Sequence, residues 1–592
     1  MSVLTRIRGG GPLALLMAFA LAGSVPPDAP VADAAMRGDV DRVAALLRSG
    51  ADVNAAQGDG MTALHWAAYN GQVALAETLL AAGADLEAVT RIGDYTPLHH
   101  AARHGFADVV EALLSAGAAV EAATSTGAAR ALHLAAASGR QAAVRALLTG
   151  GAEVDAREEQ WGQTPLMFAA AAGRTDVVRA LVEHGADPAL TTRVIDIAAM
   201  EAVDRTAGQV RTEMLETFRA EANGDGSWRP HPDQVRTAVR AAREVQEARK
   251  ISSEAPERAL DEDAFVGYTG LVGTQGGLTA LLHAVREGHA ETALALLDGG
   301  ADVDQRSAGD GTPALLMATI NGHFDLALEL LDRGADPNLA SRAGATPLYT
   351  ALNTQWAPKA RYPQQQAYQQ QRASYLDMME ALLEAGADPN ARLDQHLWYM
   401  SYTFDLLGIN AAGSTAFWRA AYATDVEAMR LLVAHGADPD IPTMKPPERR
   451  GGGGASPDPS GLDPIPVGGP GVWPIHAAAG VGYGQGYAGN AHRHVPDGWL
   501  PAMRYLVEEL GVDVNVRDHE GYNAVHHAAA RGDDEMIAFL VEHGAEVTAV
   551  SRRGQTTVDM ANGPVQRIQP FPSTVALLES LGAKNNHNCV SC

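Results

Sequence analysis

A Gly-Ala-Asp tripeptide, or a close variant of it, recurs along the 592 residues at near-constant spacing. Its glycines include Gly50, Gly83, Gly117, Gly151 and Gly185, then Gly300 and Gly334, then Gly511 and Gly544. Neighbours within each run lie 33 or 34 residues apart. A fixed period of this length points to a repeat array. Each unit is one small element that buries its apolar face only against its neighbours. Such a pattern weighs against a single enzyme core.

Residues 96–121 show what one unit encodes. Thr96 is placed to cap a helix, and Pro97 suits the first helical position, where no backbone donor is needed. Ala101 and Ala102 are small enough for neighbouring helices to approach closely, and Gly105 ends the short helix. A second helix follows, with Val109, Val110, Leu113 and Leu114 on one apolar stripe. Gly117 then closes it in the left-handed conformation. The first-helix box recurs as Thr62-Ala63-Leu64-His65, Thr96-Pro97-Leu98-His99, Thr164-Pro165-Leu166-Met167, Thr346-Pro347-Leu348-Tyr349 and Pro474-Ile475-His476.

Box, Leu-Leu pair and Gly-Ala-Asp together resemble the ankyrin repeat, with about eleven or twelve units over residues 31–583, some degenerate. The resemblance implies an all-α fold, an ankyrin-repeat solenoid of helix-turn-helix units with hairpin loops and several insertions. It also implies that the box histidines, His65, His99, His133 and His476, are structural and tie the turns of adjacent units together. By the same geometry, the residue after the box and the pair before the glycine face a concave groove. Those positions carry Trp66, Tyr69, Asn70, His100, Arg103 and His104 in the early units. Later units carry Phe168, His283, Arg286, Glu287, Arg419, Tyr422, His527 and Arg531. A groove mixing aromatics with arginine and histidine suits a protein or peptide ligand.

The formal charge is −26, from 45 basic and 71 acidic residues. An acidic surface repels phosphate backbones, which disfavours nucleic acid as a partner. The acids are spread through the repeats, as expected of a solvated surface.

The N-terminus departs from the repeat. Arg6 and Arg8 precede an apolar run over residues 13–22, and Ala20-Leu21-Ala22 offers small residues at cleavage spacing. Residues 1–24 therefore read as a secretory signal peptide, short of the roughly 20 apolar residues of a membrane span. The expected location is secreted or periplasmic, with no membrane span after cleavage.

The expected organisation has N-terminal repeats over 31–192, a helical insertion or linker over 193–276, and C-terminal repeats over 277–583. Within the last segment, insertions fall at 355–375, 391–412, 441–470 and 480–501. Residues 584–592 form a tail. Insertions in repeat arrays project from loops on one face, which is often the binding face. Trp398, Tyr399, Tyr402 and Phe404 in one insertion, and Tyr483 and Tyr487 in another, are candidate partner anchors, since aromatics dominate interface hot spots. A small local core is the alternative for the first cluster.

No phosphate loop, nucleophile elbow or His-Glu-x-x-His motif is present, and no catalytic residue, cofactor or metal is expected. His492, His494 and Asp497 are too weak a set to define a metal site. Cys589 and Cys592 are the only cysteines. Their Cys-x-x-Cys spacing fits a redox dithiol, half of a metal site or a haem attachment sequence lacking its histidine. In an exported protein the pair favours a local disulfide, or a disulfide open to exchange with a partner.

The leading expectation is an exported, non-catalytic protein-interaction scaffold, similar to the secreted ankyrin proteins of bacteria. The alternative is a redox or electron-transfer accessory using the C-terminal cysteines.

Overall fold

A computed structural model describes residues 28–222, 228–249, 268–357, 367–397, 409–447, 458–483, 492–564 and 569–589. The chain divides into two compact bodies. One comprises Met1–Leu190 and Thr279–Ala301, the other Thr191–Leu278 and Asp302–Cys592.

The first body stacks helix pairs. Their first helices are Pro30–Met36, Ala63–Asn70, Pro97–His104, Ala131–Ser138, Pro165–Ala171 and Ala280–Glu287. Each is followed by a second helix, of which Val73–Ala81 and Ala107–Ser115 are typical. First helices pack on first helices and second on second. The alanine pairs Ala67/Ala68, Ala101/Ala102, Ala135/Ala136 and Ala169/Ala170 are fully buried at these contacts. Leu79, Leu113, Leu147 and Leu181 fill the layer below, each contributing roughly 2 kcal/mol of transfer free energy.

The repeat at 280–298 packs directly on the one at 165–183, although almost a hundred residues separate them in sequence. The intervening segment is therefore an insertion within one hairpin loop, and the array continues across it. Its ends are held together in the second body. Val194–Asp196 pairs antiparallel with Thr274–Gly276, and the Thr192 N–H donates to the Leu278 carbonyl at 3.0 Å. Between them, the helices Ile197–Glu221 and Pro232–Arg249 pack as a pair.

The second body continues with pairs led by Ala314–Asn321, Pro347–Trp356, Ala416–Tyr422, Pro474–Ala479, Ala524–Arg531 and Thr557–Ala561. The second helix of the fourth pair, Trp499–Arg504, widens into a π turn over Tyr505–Glu509.

Two local devices make the repeat. Thr62, Thr96, Thr164, Thr279, Thr346 and Thr415 each cap a first helix through the side-chain oxygen. At the other end of the helix, Gly71 and Gly105 are left-handed, at φ +70° and +82°. They are also seats: a Cβ on Gly71 would fall 2.5 Å from the Phe106 ring, and one on Gly105 would meet Arg140. Each first helix thus ends beneath the side chain that opens the next repeat's second helix.

Candidate interaction surfaces

The box residue, third in its helix, is a bracket between repeats. His65 accepts the Thr62 N–H at Nδ1 (3.2 Å), and its Nε2–H donates to the Tyr95 carbonyl of the next turn (3.0 Å). His133 reaches Ala156 and Gln163 in the same way, and His476 reaches Val516. His99 accepts the Thr96 N–H, with the carbonyls of Ala122 and Ala129 beside its ring. Its Nε2 makes no hydrogen bond of normal geometry. Burial pushes His99, His133 and His476 down to about 4, so all three are neutral at pH 7.

Other residues do the same work where histidine is absent. The Trp418 indole N–H donates to the Val472 carbonyl at 2.9 Å, and the Tyr349 hydroxyl shares a hydrogen bond with Ser414 Oγ at 3.1 Å. Asp559 inverts the polarity. Its carboxylate accepts the Thr556 N–H and the N–H groups of Asn586 and Asn588 in the tail. The tail at 586–588 thus takes the place of a following turn. Cys589, next in sequence, is disulfide-bonded. Cys592 lies outside the described residues.

The position after the box differs between the early repeats of the first body and the repeats of the second. In the first, Trp66, His100 and Phe168 are partly exposed, and Tyr69 is 41% exposed. Tyr69 packs edge-on to Trp66 at 5.5 Å and to His104 at 4.3 Å, and His104 stacks on Phe106 at 6.2 Å. Trp66 is held by Gln57, which accepts its indole N–H at 2.8 Å. Asn70 and Arg103 are exposed beside this row. His100 sits within it, pushed down to about 3 by burial and by neighbouring His65 and His104.

In the second body the expected groove residues are buried, which corrects the expectation that they face a partner. Arg419 is 2% exposed. Its Nε donates to Asn353 (2.9 Å) and its Nη2 to the Trp356 carbonyl (2.6 Å). It therefore neutralises the C-terminal end of the ten-residue helix Pro347–Trp356. Tyr422, 6% exposed, is stacked between Trp418 and His492. His527 is 2% exposed and contacts Asp518 Oδ2 at 3.2 Å. Burial alone would raise the Asp518 carboxyl, but His527 outweighs it and holds Asp518 below the usual carboxylate range. In the first body, His283 is likewise buried, against expectation, whereas Arg286 and Glu287 pair with each other nearer the surface.

The residues flanking 484–491 form a compact polar-aromatic cluster. Arg531 lies 3.5 Å over the Trp499 ring and is ion-paired with Asp533. Tyr483 lies edge-on to Trp499 at 5.9 Å. The His492 Nε2–H donates to the Tyr422 carbonyl at 2.9 Å, and His494 Nδ1–H donates to that of Val495 at 2.8 Å. Each of these nitrogens carries a proton and so is not a metal donor as it stands. Asp497 is exposed, with φ +56°. Trp398, Tyr399, Tyr402, Phe404 and Tyr487, and the N-terminal segment 1–24, lie outside the described residues.

Sequence reasoning missed a second bracket. Four residues after most repeat glycines stands Asn, Asp or Glu, as at Asn54, Glu87, Glu121, Asp155, Asp304, Asn338, Asn390 and Asn515. Each accepts a backbone N–H from the next repeat, at Asp85, Ala119, Glu153, Asp187, Asp336, Asp388, Asp438 and Glu546. The asparagines also donate to a glycine carbonyl, as Asn515 does to Gly544 at 3.0 Å. The signal was present at fixed spacing from the glycine, masked by its use of three residue types.

Comparison with known proteins agrees with this geometry. Models of ankyrin repeats match residues 31–124, 122–192, 264–341 and 281–393 as sets of three copies. Others match 505–561 as many copies and 412–444 as a single repeat. A stretch of 61 residues is 36% identical to BCL-6 corepressor-like protein 1 of Mus musculus, covering 10% of this chain and 3% of that protein. Another of 95 residues is 32% identical to Protein phosphatase 1 regulatory subunit 12A of Rattus norvegicus, covering 16% and 8%. The chain thus spans only a small part of the curated relatives it matches. With threonine-capped boxes, left-handed glycine seats and family models matched in both bodies, the chain belongs to the ankyrin repeat family.

Proposed function

We propose that this protein is an exported, non-catalytic scaffold that binds a protein or peptide on the first helices of its first body. The observation that carries this reading is the row Trp66, Tyr69, His100 and His104, aromatic and partly exposed on two neighbouring repeats. Rigid aromatic rings at an interface give contact area at small entropic cost. The side chains that hold the row, Gln57 and the box histidines, are already ordered by the fold, so binding loses little conformational freedom. The names of the relatives, a corepressor-like protein and a regulatory subunit, also fit action through other proteins.

Immobilised protein, intact and with Trp66→Ala and Tyr69→Ala together, tests the role by retention of partners from the envelope fraction. The reading expects a species retained by the intact protein and lost from the double variant, with circular dichroism unchanged. Equal retention by both would remove this surface from consideration. Export rests on the basic-apolar N-terminus, and is tested by the mass of the product recovered outside the cytoplasm. Removal of the signal peptide read at residues 1–24 is expected, and a retained, full-length chain would refute export.

A further inference from the structure

Resting on the reading of the first body as a protein-binding surface, we infer that its partner is an acidic peptide segment bound in extended form. The argument starts from the glycine seats. Gly71, Gly105, Gly139 and Gly173 are covered in turn by Phe106, Arg140, Arg174 and His289. These are equivalent sites on successive repeats, so the structure sets one apolar and then two cationic side chains in a line.

The arginines are positioned. The aliphatic stem of Arg140 lies against Gly105, and that of Arg174 against Gly139. Arg174 Nε also donates to the Ala137 carbonyl at 3.1 Å. Arg103 stands two residues before Gly105 at the end of the helix Pro97–His104. All three are exposed, and none forms an ion pair with a described carboxylate. Nearby Asp176 is engaged by Arg179. In a chain of net charge −26, a line of unpaired cations leaves positive charge unsatisfied, which an anionic partner would complement. The apolar end is continuous with the aromatic row, because Phe106 stacks on His104, which packs on Tyr69.

Spacing selects the register. Packed helices lie roughly 8–10 Å apart, and an extended chain advances about 3.3 Å per residue. Carboxylates at every third residue therefore meet successive arginines, with an aromatic residue one step ahead at Phe106 and Tyr69.

Fluorescence anisotropy on the mature full-length protein tests this with two labelled peptides. One is Phe-Gly-Ser-Glu-Gly-Ser-Glu-Gly-Ser-Glu; the other has the same composition with its glutamates contiguous. The spaced peptide is expected to bind more tightly and to weaken as salt rises. Arg140→Glu with Arg174→Glu should weaken it about tenfold or more, while Arg140→Lys with Arg174→Lys should retain most binding. Binding unchanged by charge reversal, no binding at low ionic strength, or preference for anionic lipid vesicles over the peptide would each overturn the inference. A partner captured through Trp66 and Tyr69 that ignores the charge reversal would leave the scaffold reading standing and remove the acidic one.

Discussion

Asn338 and Asp388 join two repeats whose glycines are separated by an insertion. Asn338 Oδ1 accepts the Asp388 N–H at 2.7 Å, while its Nδ2 donates to the neighbouring Gly386 carbonyl at 2.9 Å. The same geometry recurs wherever asparagine stands four residues after a repeat glycine, as at Asn54, Asn390 and Asn515. The insertion therefore lengthens the loop without disturbing the register of the stack.

Asn338→Ala removes both bonds and should cost about 1–2 kcal/mol, the site being exposed. Asn338→Asp keeps the acceptor and loses the donor, as Asp155 and Asp304 already do, and should cost less. Urea denaturation of the two variants checks the order. An alanine variant as stable as the intact protein would show that the bracket contributes nothing.

The glycine seats separate backbone strain from steric fit. Gly83 is left-handed with open space around its missing Cβ, whereas Gly71 is left-handed beneath the Phe106 ring. Gly83→Ala should cost roughly 1–2 kcal/mol. Gly71→Ala should cost clearly more, since a packed ring must also move. Equal thermal shifts in the two variants would contradict the role of Gly71 as a seat.

Neutral buried histidines make the array sensitive to acid. His99, His133 and His476 titrate near 4 when folded, against 6.5 for the ordinary side chain. Between those values the unfolded chain takes up protons that the folded chain refuses. Stability is therefore complete above about pH 6.5 and falls as pH drops towards 4, by up to about 3 kcal/mol per histidine. Denaturation midpoints measured across that range check the slope, and His133→Gln should flatten it. A midpoint constant between pH 7 and 4.5 would contradict the account.

Trp418 tests whether the box works through its donor rather than its shape. Trp418→Phe removes one of two donors to the Val472 carbonyl, which keeps the Thr443 N–H, and should cost about 1–3 kcal/mol, combining a lost donor with lost volume. Trp418→His restores a donor in the family's own form and should recover part of that loss. If histidine is no better than phenylalanine by chemical denaturation, the hydrogen bond is not what the box supplies.

These results also show what could be read before the structure. Capping threonines, the first-helix alanines and the left-handed glycines are local, so the repeat and its period were legible in residues such as Thr96, Ala101 and Gly105. The roles of Trp418, Tyr349 and Asp559 were not, because they depend on what the next turn offers: a carbonyl, a hydroxyl or amide donors. Burial of Arg419 and Tyr422 was likewise hidden. Repeat position alone puts both on the groove face, and only the lengthened helix ending at Trp356 and the segment carrying His492 cover them. The first body has short, regular loops between its early repeats, and there Trp66, Tyr69 and Arg103 lie at the surface as their positions imply.

The central claim is that a partner docks on the aromatic row of the first body, and site-specific photo-cross-linking tests it most directly. A benzophenone side chain is placed at Tyr69, 41% exposed in that row, or at Glu111, exposed on the second helix of the following repeat. Irradiation in the envelope fraction should give a discrete adduct from position 69 and none from position 111. Adducts of the same mass from both positions, or from position 111 alone, would contradict the claim.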